Sequence, residues 1–400
     1  MQDLKPSAKL KRPFPTSFLI VAGGGLVVGI AVGAFFLLRS ARSGAVGNFV
    51  SGYVQSAKPK VTVDETSTEL DKGEKKVPSP INGVLKTEAR SGLWLNRRPL
   101  AVMLNNHSDA LAVQTGVMMA DLVYEAVAEG GISRLMAIYH SQFPNALGSV
   151  RSARVPFVEW AKEYDAWYAH WGGASIDPNV PSVCAPEADA FQRMRTIYVS
   201  SLDAMGGSGS AFYREEGTGL ATEHTGFVVP EKLLEVAYQM YPDQAKSFRA
   251  IPSWKFKEDA VSSARPASAR LKFNFWDTAG YEVQWDFDSA TNTYLRSQGG
   301  APMKDAKTGE RYAAKVVIVQ WEREMEVKDD KHHILYETVG SGPAEIYQDG
   351  QVIKATWSRQ SLDNRTKYLD AKTKKEIEFN RGLFWIEVLP TGDKVEYSHA

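Results

Sequence analysis

The sequence predicts an α+β protein in which a mixed α/β domain precedes a mostly antiparallel β domain, behind a single transmembrane helix. Three observations predict this order: an uncharged apolar run near the N-terminus, mixed helix-like and strand-like segments in the middle, and short strands with a period of two near the C-terminus. Because 400 residues exceed the usual size of one domain, we expect two folded domains.

The transmembrane helix is predicted at the uncharged run from Phe18 to Leu38. A helix needs roughly 20 apolar residues to cross a bilayer, whereas the apolar core of a signal peptide has about 7 to 15, so an uncleaved anchor is favoured. Basic residues are concentrated before the run, which places residues 1–17 in the cytoplasm and the rest of the chain outside it. The lipid bilayer is therefore a predicted partner.

The glycines of this run indicate a second partner. Gly25, Gly29 and Gly33 are spaced four residues apart, and small residues at this spacing permit close packing of two membrane helices. A dimer through the glycine-rich helix is therefore one prediction. Residues 39–95, rich in Ser, Gly, Lys, Glu and Pro, are predicted to be a flexible linker.

Residues 96–262 are predicted to form the mixed α/β domain. The apolar segments LAVML, DLVYEAVAE, ISRLMAIYH and AWYAHW read as strands, and VPFVEWAKEYD as an amphipathic helix. A further helix is expected at PEKLLEVAYQMY, because Pro230 and Glu231 are both favourable in a first helical turn.

Residues 263–400 are predicted to form the β domain, with strands in LKFNF, YEVQWDF, KVVIVQW, VIKATW and LFWIEVL. In YEVQWDF the apolar residues Val283, Trp285 and Phe287 alternate with polar ones, which is typical of a strand with one solvated face. KVVIVQW is apolar on both faces and should be a central strand.

The charge and cysteine content exclude several classes of protein. Lys plus Arg equals Asp plus Glu at 47 each, so no global field attracts nucleic acid, and we expect no nucleic-acid partner. The single cysteine, Cys184, excludes an intramolecular disulfide. Because no HExxH or CxxC spacing and no glycine-rich nucleotide loop is present, we expect no metal site and no cofactor.

Several segments resemble the YerB-like family of bacterial envelope proteins, which includes lipoproteins and domains of unknown function. They are RPLAVMLNNH, ADLVYEAVAEGGISRLMAIYHSQ, GSVRSARVPFVEWAKEYDAWYAHWGG, KVVIVQW and RGLFWIEVLP. The resemblance implies an N-terminal mixed α/β domain at 96–262, a β domain at 263–400 and an envelope location. It implies no reaction. The chain lacks the lipidated cysteine of a lipoprotein after its apolar run and carries the predicted helix instead.

The most informative polar cluster is Arg151, Ser152 and Arg154, just before Pro156 and the helix it opens. Guanidinium groups beside a helix N-terminus favour an anion such as phosphate, pyrophosphate or a carboxylate, because charge and free N–H groups converge there. The alternative is that these arginines form structural ion pairs with Asp121, Glu125 or Glu129 of the DLVYEAVAE segment.

A second cluster follows the AWYAHW strand. His170 could act as an acid, a base or a hydrogen-bond donor, or be a satisfied structural group, and Gly172 and Gly173 permit close backbone approach. The other residues expected to face the same crevice are Asn105, Asn106, His107, Tyr213, Arg214 and His224.

Three functional hypotheses follow. The first is an envelope protein that binds an anionic ligand at the arginine cluster. The second is a hydrolase or transferase for envelope glycan or lipid-linked substrates, in which Asp121, Glu125 or His170 is the acid or base. The third is a scaffold for other envelope proteins, which predicts a large exposed apolar patch.

Overall fold

The structure of the protein, a computed structural model, describes residues 75–276 and 278–400. The predicted cytoplasmic tail, the predicted transmembrane run with its glycine pairs and most of the predicted linker lie outside these residues. Among the described residues, no helix is both long enough and apolar enough to cross a membrane.

Helices are few and short in the described residues. They are α1 (Glu88–Leu95), α2 (Val155–Glu163), α3 (Ala190–Ile197), α4 (Pro230–Met240) and α5 (Pro242–Lys246).

Strands dominate the structure. Up to residue 257 they are β1 (Lys76–Pro78), β2 (Leu85–Thr87), β3 (Leu100–Asn105), β4 (Leu122–Glu129), β5 (Ile132–Tyr139), β6 (Leu147–Gly148), β7 (Trp167–His170), β8 (Ser201–Asp203), β9 (Phe212–Arg214), β10 (Gly226–Val228) and β11 (Lys255–Lys257). Thereafter they are β12 (Ala269–Asn274), β13 (Glu282–Asp288), β14 (Thr293–Gln298), β15 (Ala301–Pro302), β16 (Ala313–Ala314), β17 (Val316–Glu322), β18 (Glu324–Glu326), β19 (Ile334–Tyr336), β20 (Gly340–Gln348), β21 (Gln351–Arg359), β22 (Lys367–Asp370), β23 (Glu378–Asn380), β24 (Phe384–Pro390) and β25 (Glu396–His399).

A mixed ten-stranded sheet organises the fold, with the strand order β22-β21-β20-β17-β24-β4-β5-β3-β7-β8. The β17–β24, β24–β4, β3–β7 and β7–β8 pairs are parallel and the other pairs are antiparallel. Strands from both sides of the boundary predicted near residue 263 therefore join one sheet, through the β24–β4 pair.

The position of β17 and β24 follows from their composition. Every residue of β17 is buried, and in β24 only the last residue is partly exposed. Strands that are apolar on both faces are stable only where both faces are covered. The prediction of a central position for KVVIVQW is confirmed, because β17 lies between β20 and β24.

A separate antiparallel sheet contains β15-β14-β13-β12-β25, with β16 paired to β14. The predicted alternation along β13 is confirmed, because Val283, Trp285 and Phe287 are buried and the polar residues between them are partly exposed. The Trp285 ring meets the Trp385 ring of β24 edge to face, with 5.3 Å between the ring centroids. One continuous apolar core extends through residues of both sheets.

Residues 76–95 differ from the linker prediction. They form the β1–β2 hairpin and α1, and the Ile81 and Trp94 side chains are buried in the body. Thr87 caps α1 by accepting a hydrogen bond from the Arg90 backbone N–H. The buried tryptophan and the helix cap order this segment although its overall composition is polar.

Candidate functional site

The candidate site lies at the carboxyl end of β3. The segment 149–151 runs along this end, because the Asn105 N–H donates to the Ser149 carbonyl at 2.8 Å and the Arg151 N–H donates to the Met103 carbonyl at 2.9 Å. The Trp171 N–H, just after β7, donates to the Arg151 carbonyl at 3.0 Å. Arg151 is thereby held between the ends of two parallel strands, where open α/β sheets commonly place ligands.

Two stacked histidines flank this position. The His107 and His224 rings lie 5.0 Å apart between centroids with 24° between their planes. The Asn105 side-chain oxygen accepts from the His107 N–H at 3.0 Å, so its amide nitrogen faces Nδ1 of His224 at 2.8 Å. Sequence analysis expected these three residues to face one crevice, and the structure places them in contact.

The hydrogen bonds fix the tautomers of both rings. Nδ1 of His224 accepts from the Asn105 amide, and Nδ1 of His107 accepts from the Asp109 N–H at 3.2 Å. In a neutral imidazole with Nδ1 as the acceptor, Nε2 carries the proton. Both rings therefore have an Nε2–H donor, and neither Nε2 has a hydrogen-bond partner within the described residues.

The surroundings of the His224 ring disfavour its charged form. Burial lowers its pKa below the ordinary value of 6.5, and the nearby charges of His107 and Arg151 lower it further. Glu223 and Asp109 act in the opposite direction more weakly. The site thus contains two ring N–H donors beside a guanidinium cation.

Arg151 differs from most partly buried arginines of this protein. Its side chain makes no hydrogen bond or ion pair with any of the residues that the structure describes. Burial lowers its pKa, and the more distant Glu129 carboxylate opposes that effect. A partly buried guanidinium without an acceptor has lost hydration that no protein group replaces, which makes it a suitable partner for an anion.

Arg214 and Trp171 border the same region. The Arg214 guanidinium lies over the Trp171 ring at 3.7 Å from the centroid and donates to the Thr222 carbonyl. Tyr213, the preceding residue of β9, stacks on Phe227 at 5.5 Å. Trp171, at the end of the AWYAHW segment, packs against Phe212 and shapes this border.

Arg154 is paired, as the structural alternative expected. Its guanidinium donates to both carboxylate oxygens of Glu129, each at 2.7 Å, and Arg134 also contacts this carboxylate. The pKa of Glu129 is lowered to about 2; burial acts against this shift, but the Arg134 and Arg154 charges outweigh it. The anion predicted beside the start of α2 is therefore a carboxylate of the chain itself.

The other predicted residues near α2 and β7 have structural contacts. The Ser152 carbonyl accepts from Arg134 at 2.5 Å. His170 is fully buried, with Nδ1 2.8 Å from the Gly172 carbonyl and Nε2 2.8 Å from the Ser201 hydroxyl. A Cβ atom on Gly173 would lie 3.0 Å from the Phe191 ring, so a larger residue there would require that ring to shift by a few tenths of an ångström.

Glu125 lies in a closed ionic cluster. One of its carboxylate oxygens accepts from Arg296 at 2.6 Å and from the Trp385 ring at 3.1 Å, and the other accepts from the Asn106 amide at 2.8 Å. The Glu125, Arg296 and Glu387 side chains are fully buried. Burial and the Glu125 charge raise the pKa of Glu387. Glu125 and Asn106 are therefore not available to a ligand.

Asp121 is also fully buried. It accepts hydrogen bonds from the His140 N–H at 2.6 Å, from the Ser141 N–H at 2.9 Å and from the Ser141 hydroxyl at 2.5 Å. Burial raises its pKa, and these hydrogen bonds oppose the shift. Neither carboxylate proposed as an acid or base lies in an open cleft.

Two groups of potential metal-ligating side chains occur in the described residues, although the sequence spacing had indicated none. The first contains His107, Asp109 and His224. There, both Nδ1 atoms already accept hydrogen bonds, so we interpret this group as a set of donors. The second group contains Cys184, Asp329 and His333, and Cys184 is far from the other two in the sequence.

A surface cavity of about 350 Å³ lies beside α3 and α5. Tyr198, Tyr241 and Met194 contribute to its lining, together with polar atoms of Ser200 and Gln244. None of the ligand-binding residues predicted from the sequence lines it.

Comparison with known proteins defines the class to which this fold and site belong. The chain matches the family described as "Protein of unknown function (DUF3048)", its N-terminal domain over residues 85–242 and its C-terminal domain over residues 271–386. The chain belongs to this family.

One curated relative is the "Putative lipoprotein YerB" of Bacillus subtilis (strain 168), which is 28% identical over 335 residues, 81% of this chain and 89% of that protein. The crystal structure of the Bacillus subtilis YerB protein superposes with a TM-score of 0.66 at 24% identity, covering 81% of this chain and all of that one. The resemblance to YerB is confirmed, and the solved structure shows the same fold.

Proposed function

We propose that this protein is a membrane-anchored, extracytoplasmic envelope protein whose body binds an anionic ligand at Arg151. The ligand carries a phosphate, pyrophosphate or carboxylate group. The observation that carries the proposal is the Arg151 guanidinium, which is partly buried and makes no hydrogen bond or ion pair within the described residues. An anion would supply the acceptors that this guanidinium lacks.

The surrounding donors support an anion rather than a cation. His107 and His224 each offer an Nε2–H group, and Arg214 adds a second positive charge held on the Trp171 ring. A ligand with several acceptor oxygens could engage these groups together with Arg151. Arg154 is excluded from the site because its guanidinium already donates to both carboxylate oxygens of Glu129 and to the Ala153 carbonyl.

The location rests on separate support. The relative YerB is named a lipoprotein, which is a protein held at a membrane by a lipid. This chain carries the uncharged run from Phe18 to Leu38 in place of a lipidated cysteine, with basic residues concentrated before it. Either anchor, a lipidated cysteine or a transmembrane helix, would hold a folded body outside the cytoplasm. The glycine pairs of the run would permit two such helices to form a dimer.

A role in binding is favoured over acid–base catalysis. Asp121, Glu125 and His170 are buried and their polar atoms are engaged by neighbouring groups. A general acid or base must reach the reacting atoms of a substrate.

Calorimetric titration of the full-length protein with inorganic pyrophosphate, inorganic phosphate and citrate, in a buffer without these anions, tests the proposal. We expect at least one probe to bind the wild type and to bind Arg151→Ala about 10- to 100-fold more weakly, the equivalent of one charge-assisted hydrogen-bonding group. Comparison among the probes distinguishes phosphate-type from carboxylate ligands.

Arg270→Ala is the matched control, because it removes the same charge from an exposed pair with Asp286 in the other sheet. It should bind like the wild type. Absence of binding by all three probes at millimolar concentration, or equal affinity in wild type and Arg151→Ala, would refute the proposal.

A further inference from the structure

A second polar cluster, unrelated to the Arg151 site, brings together two segments that are distant in the sequence. Cys184 follows a short helical turn after β7, whereas Asp329 and His333 lie in the connection between β18 and β19. One donor atom from each of the three side chains lies within 4.8 Å of those of the other two. All three residues are buried.

The cluster is held in place by backbone contacts. The Asp329 carboxylate accepts from the Ala185 N–H at 3.1 Å and from the His333 N–H at 3.2 Å. The Asp330 N–H donates to the Ser182 carbonyl at 2.8 Å, which ties the same two segments together. These contacts fix the backbone next to the three side chains. A preorganised set of metal ligands requires such support.

The electrostatic environment of the thiol favours a cation. Burial raises the pKa of Cys184 to about 11, and the carboxylates of Asp189, Asp329 and Glu187 contribute to the increase. Arg154 is the opposing charge. A thiol in this state is a poor nucleophile, so a catalytic cysteine is not supported. The same negative field would stabilise a divalent metal ion, whose charge converts a thiol into a thiolate ligand.

The orientation of His333 is also defined. Nδ1 of its ring lies 2.8 Å from the Asp329 carboxylate. A hydrogen bond from a ring nitrogen to a carboxylate fixes the orientation of the ring. Zinc accepts thiolate sulfur, imidazole nitrogen and carboxylate oxygen in one tetrahedral site.

We propose that Cys184, Asp329 and His333 form a zinc-binding site that clamps the segment around residue 184 to the β18–β19 connection. Ligand atoms of tetrahedral zinc lie about 3.3 to 3.8 Å apart when each is about 2.0 to 2.3 Å from the metal. Donor atoms that lie up to 4.8 Å apart must therefore move together by up to about 1.5 Å, and three protein ligands leave a fourth position for water. This inference is independent of the proposed function, because it shares no residue with the Arg151 site.

A purely structural interpretation accounts for the same contacts without metal. In it, the thiol donates to the Ala185 carbonyl at 3.5 Å and the His333–Asp329 pair closes the turn. The two interpretations differ in metal content, so they can be separated by measurement.

The test uses the full-length protein purified without a polyhistidine tag, incubated with excess Zn²⁺ and passed through a desalting column. We expect about one zinc per chain by elemental analysis, and at least a tenfold loss of zinc affinity in Cys184→Ala and in His333→Ala. His332→Ala is the matched control, since the exposed His332 pairs with Glu326 outside the cluster and should retain zinc.

Two further measurements are made on the wild-type protein, so they do not depend on whether a variant folds. Co²⁺ bound to the wild type should give a thiolate-to-metal charge-transfer band, because Cys184 is the single cysteine of the chain. Zinc affinity should rise about tenfold per pH unit between pH 6 and pH 8, because binding releases the thiol proton. Less than about 0.1 zinc per chain, no such band with Co²⁺, or unchanged zinc binding in folded Cys184→Ala would overturn the proposal.

Discussion

Arg151 and Arg154 lie in one short segment, yet their surroundings differ. The Arg154 guanidinium meets both oxygens of the Glu129 carboxylate at 2.7 Å, at the start of α2. The Arg151 side chain, at the end of β3, has no such partner within the described residues and lies beside the ring donors of His107 and His224. The sequence motif alone therefore does not identify a binding arginine, because the distinction depends on which acidic residue the fold places nearby.

The ionic cluster between the two sheets extends this comparison. Arg296 of β14 reaches across to Glu125 of β4, and the Trp285 ring of β13 donates to Glu387 of β24 at 2.9 Å. This cluster is closed to solvent, whereas the Arg151 site retains donors without protein acceptors. We infer that the closed pairs position the sheets and that the open guanidinium is the group left for a ligand.

The largest effect is expected at the closed cluster. Arg296→Met leaves the Glu125 carboxylate buried without its cation, so the free energy of unfolding should fall by about 3 to 5 kcal/mol. Urea denaturation followed by tryptophan fluorescence measures it. A triple variant with Glu125→Gln and Glu387→Gln added should recover part of the loss, and a fully stable single variant would show that the cluster does not hold the sheets together.

Arg154→Ala should have an intermediate effect. It leaves Glu129 with Arg134 as its remaining cationic partner, and we expect a loss of about 2 kcal/mol in the free energy of unfolding. Arg270→Ala, on an exposed pair, should change the same quantity by less than about 0.5 kcal/mol. Equal stability of the two variants would contradict the structural role assigned to Arg154.

The pH dependence of stability gives a related test. The pKa of Glu129 is about 2 in the folded protein and 4.5 without these contacts, so its stabilising contribution is present above about pH 4.5 and is lost as the pH falls towards 2. Glu129→Gln should therefore be less stable than the wild type at pH 6, by roughly 2 to 3 kcal/mol, and the difference should shrink to about 1 kcal/mol near pH 3 and vanish only below about pH 2. A constant difference across this range, measured by urea denaturation, would argue against the paired carboxylate.

The hydrophobic periodicity of the sequence predicted the individual strands and helices better than it predicted which strands pair in a sheet. The strand and helix patterns around β3, β4, α2 and β13 are observed, because each depends on neighbours in the chain. The pairing of β24 with β4 could not be read from periodicity, since parallel neighbours can be far apart in sequence. The linker prediction failed at Trp94 for a different reason. The composition of that segment is polar overall, but the Trp94 side chain is buried and orders α1.

The sequence predicted several residues of the candidate site, but it did not predict which side chains pair with one another. Asn105, His107 and His224 were expected near one crevice, and the structure brings them into contact. The partner of Glu125 is Arg296, 171 residues away, and no local pattern connects the two. Cys184 and His333 likewise meet only through the fold, which is why a search for short metal-binding motifs missed them.

The smallest effect on stability is expected for Arg151→Ala, because its guanidinium makes no hydrogen bond or ion pair within the described residues; its melting temperature without ligand should match that of the wild type within about 2 °C. The most direct test of the account is the increase in melting temperature on adding saturating pyrophosphate to wild type, Arg151→Ala and Arg154→Ala. We predict an increase for wild type and for Arg154→Ala, from a lower starting value, and none for Arg151→Ala. An increase in Arg151→Ala equal to that of the wild type, or unfolding of that variant without ligand, would contradict the assignment of Arg151 as the ligand-binding cation.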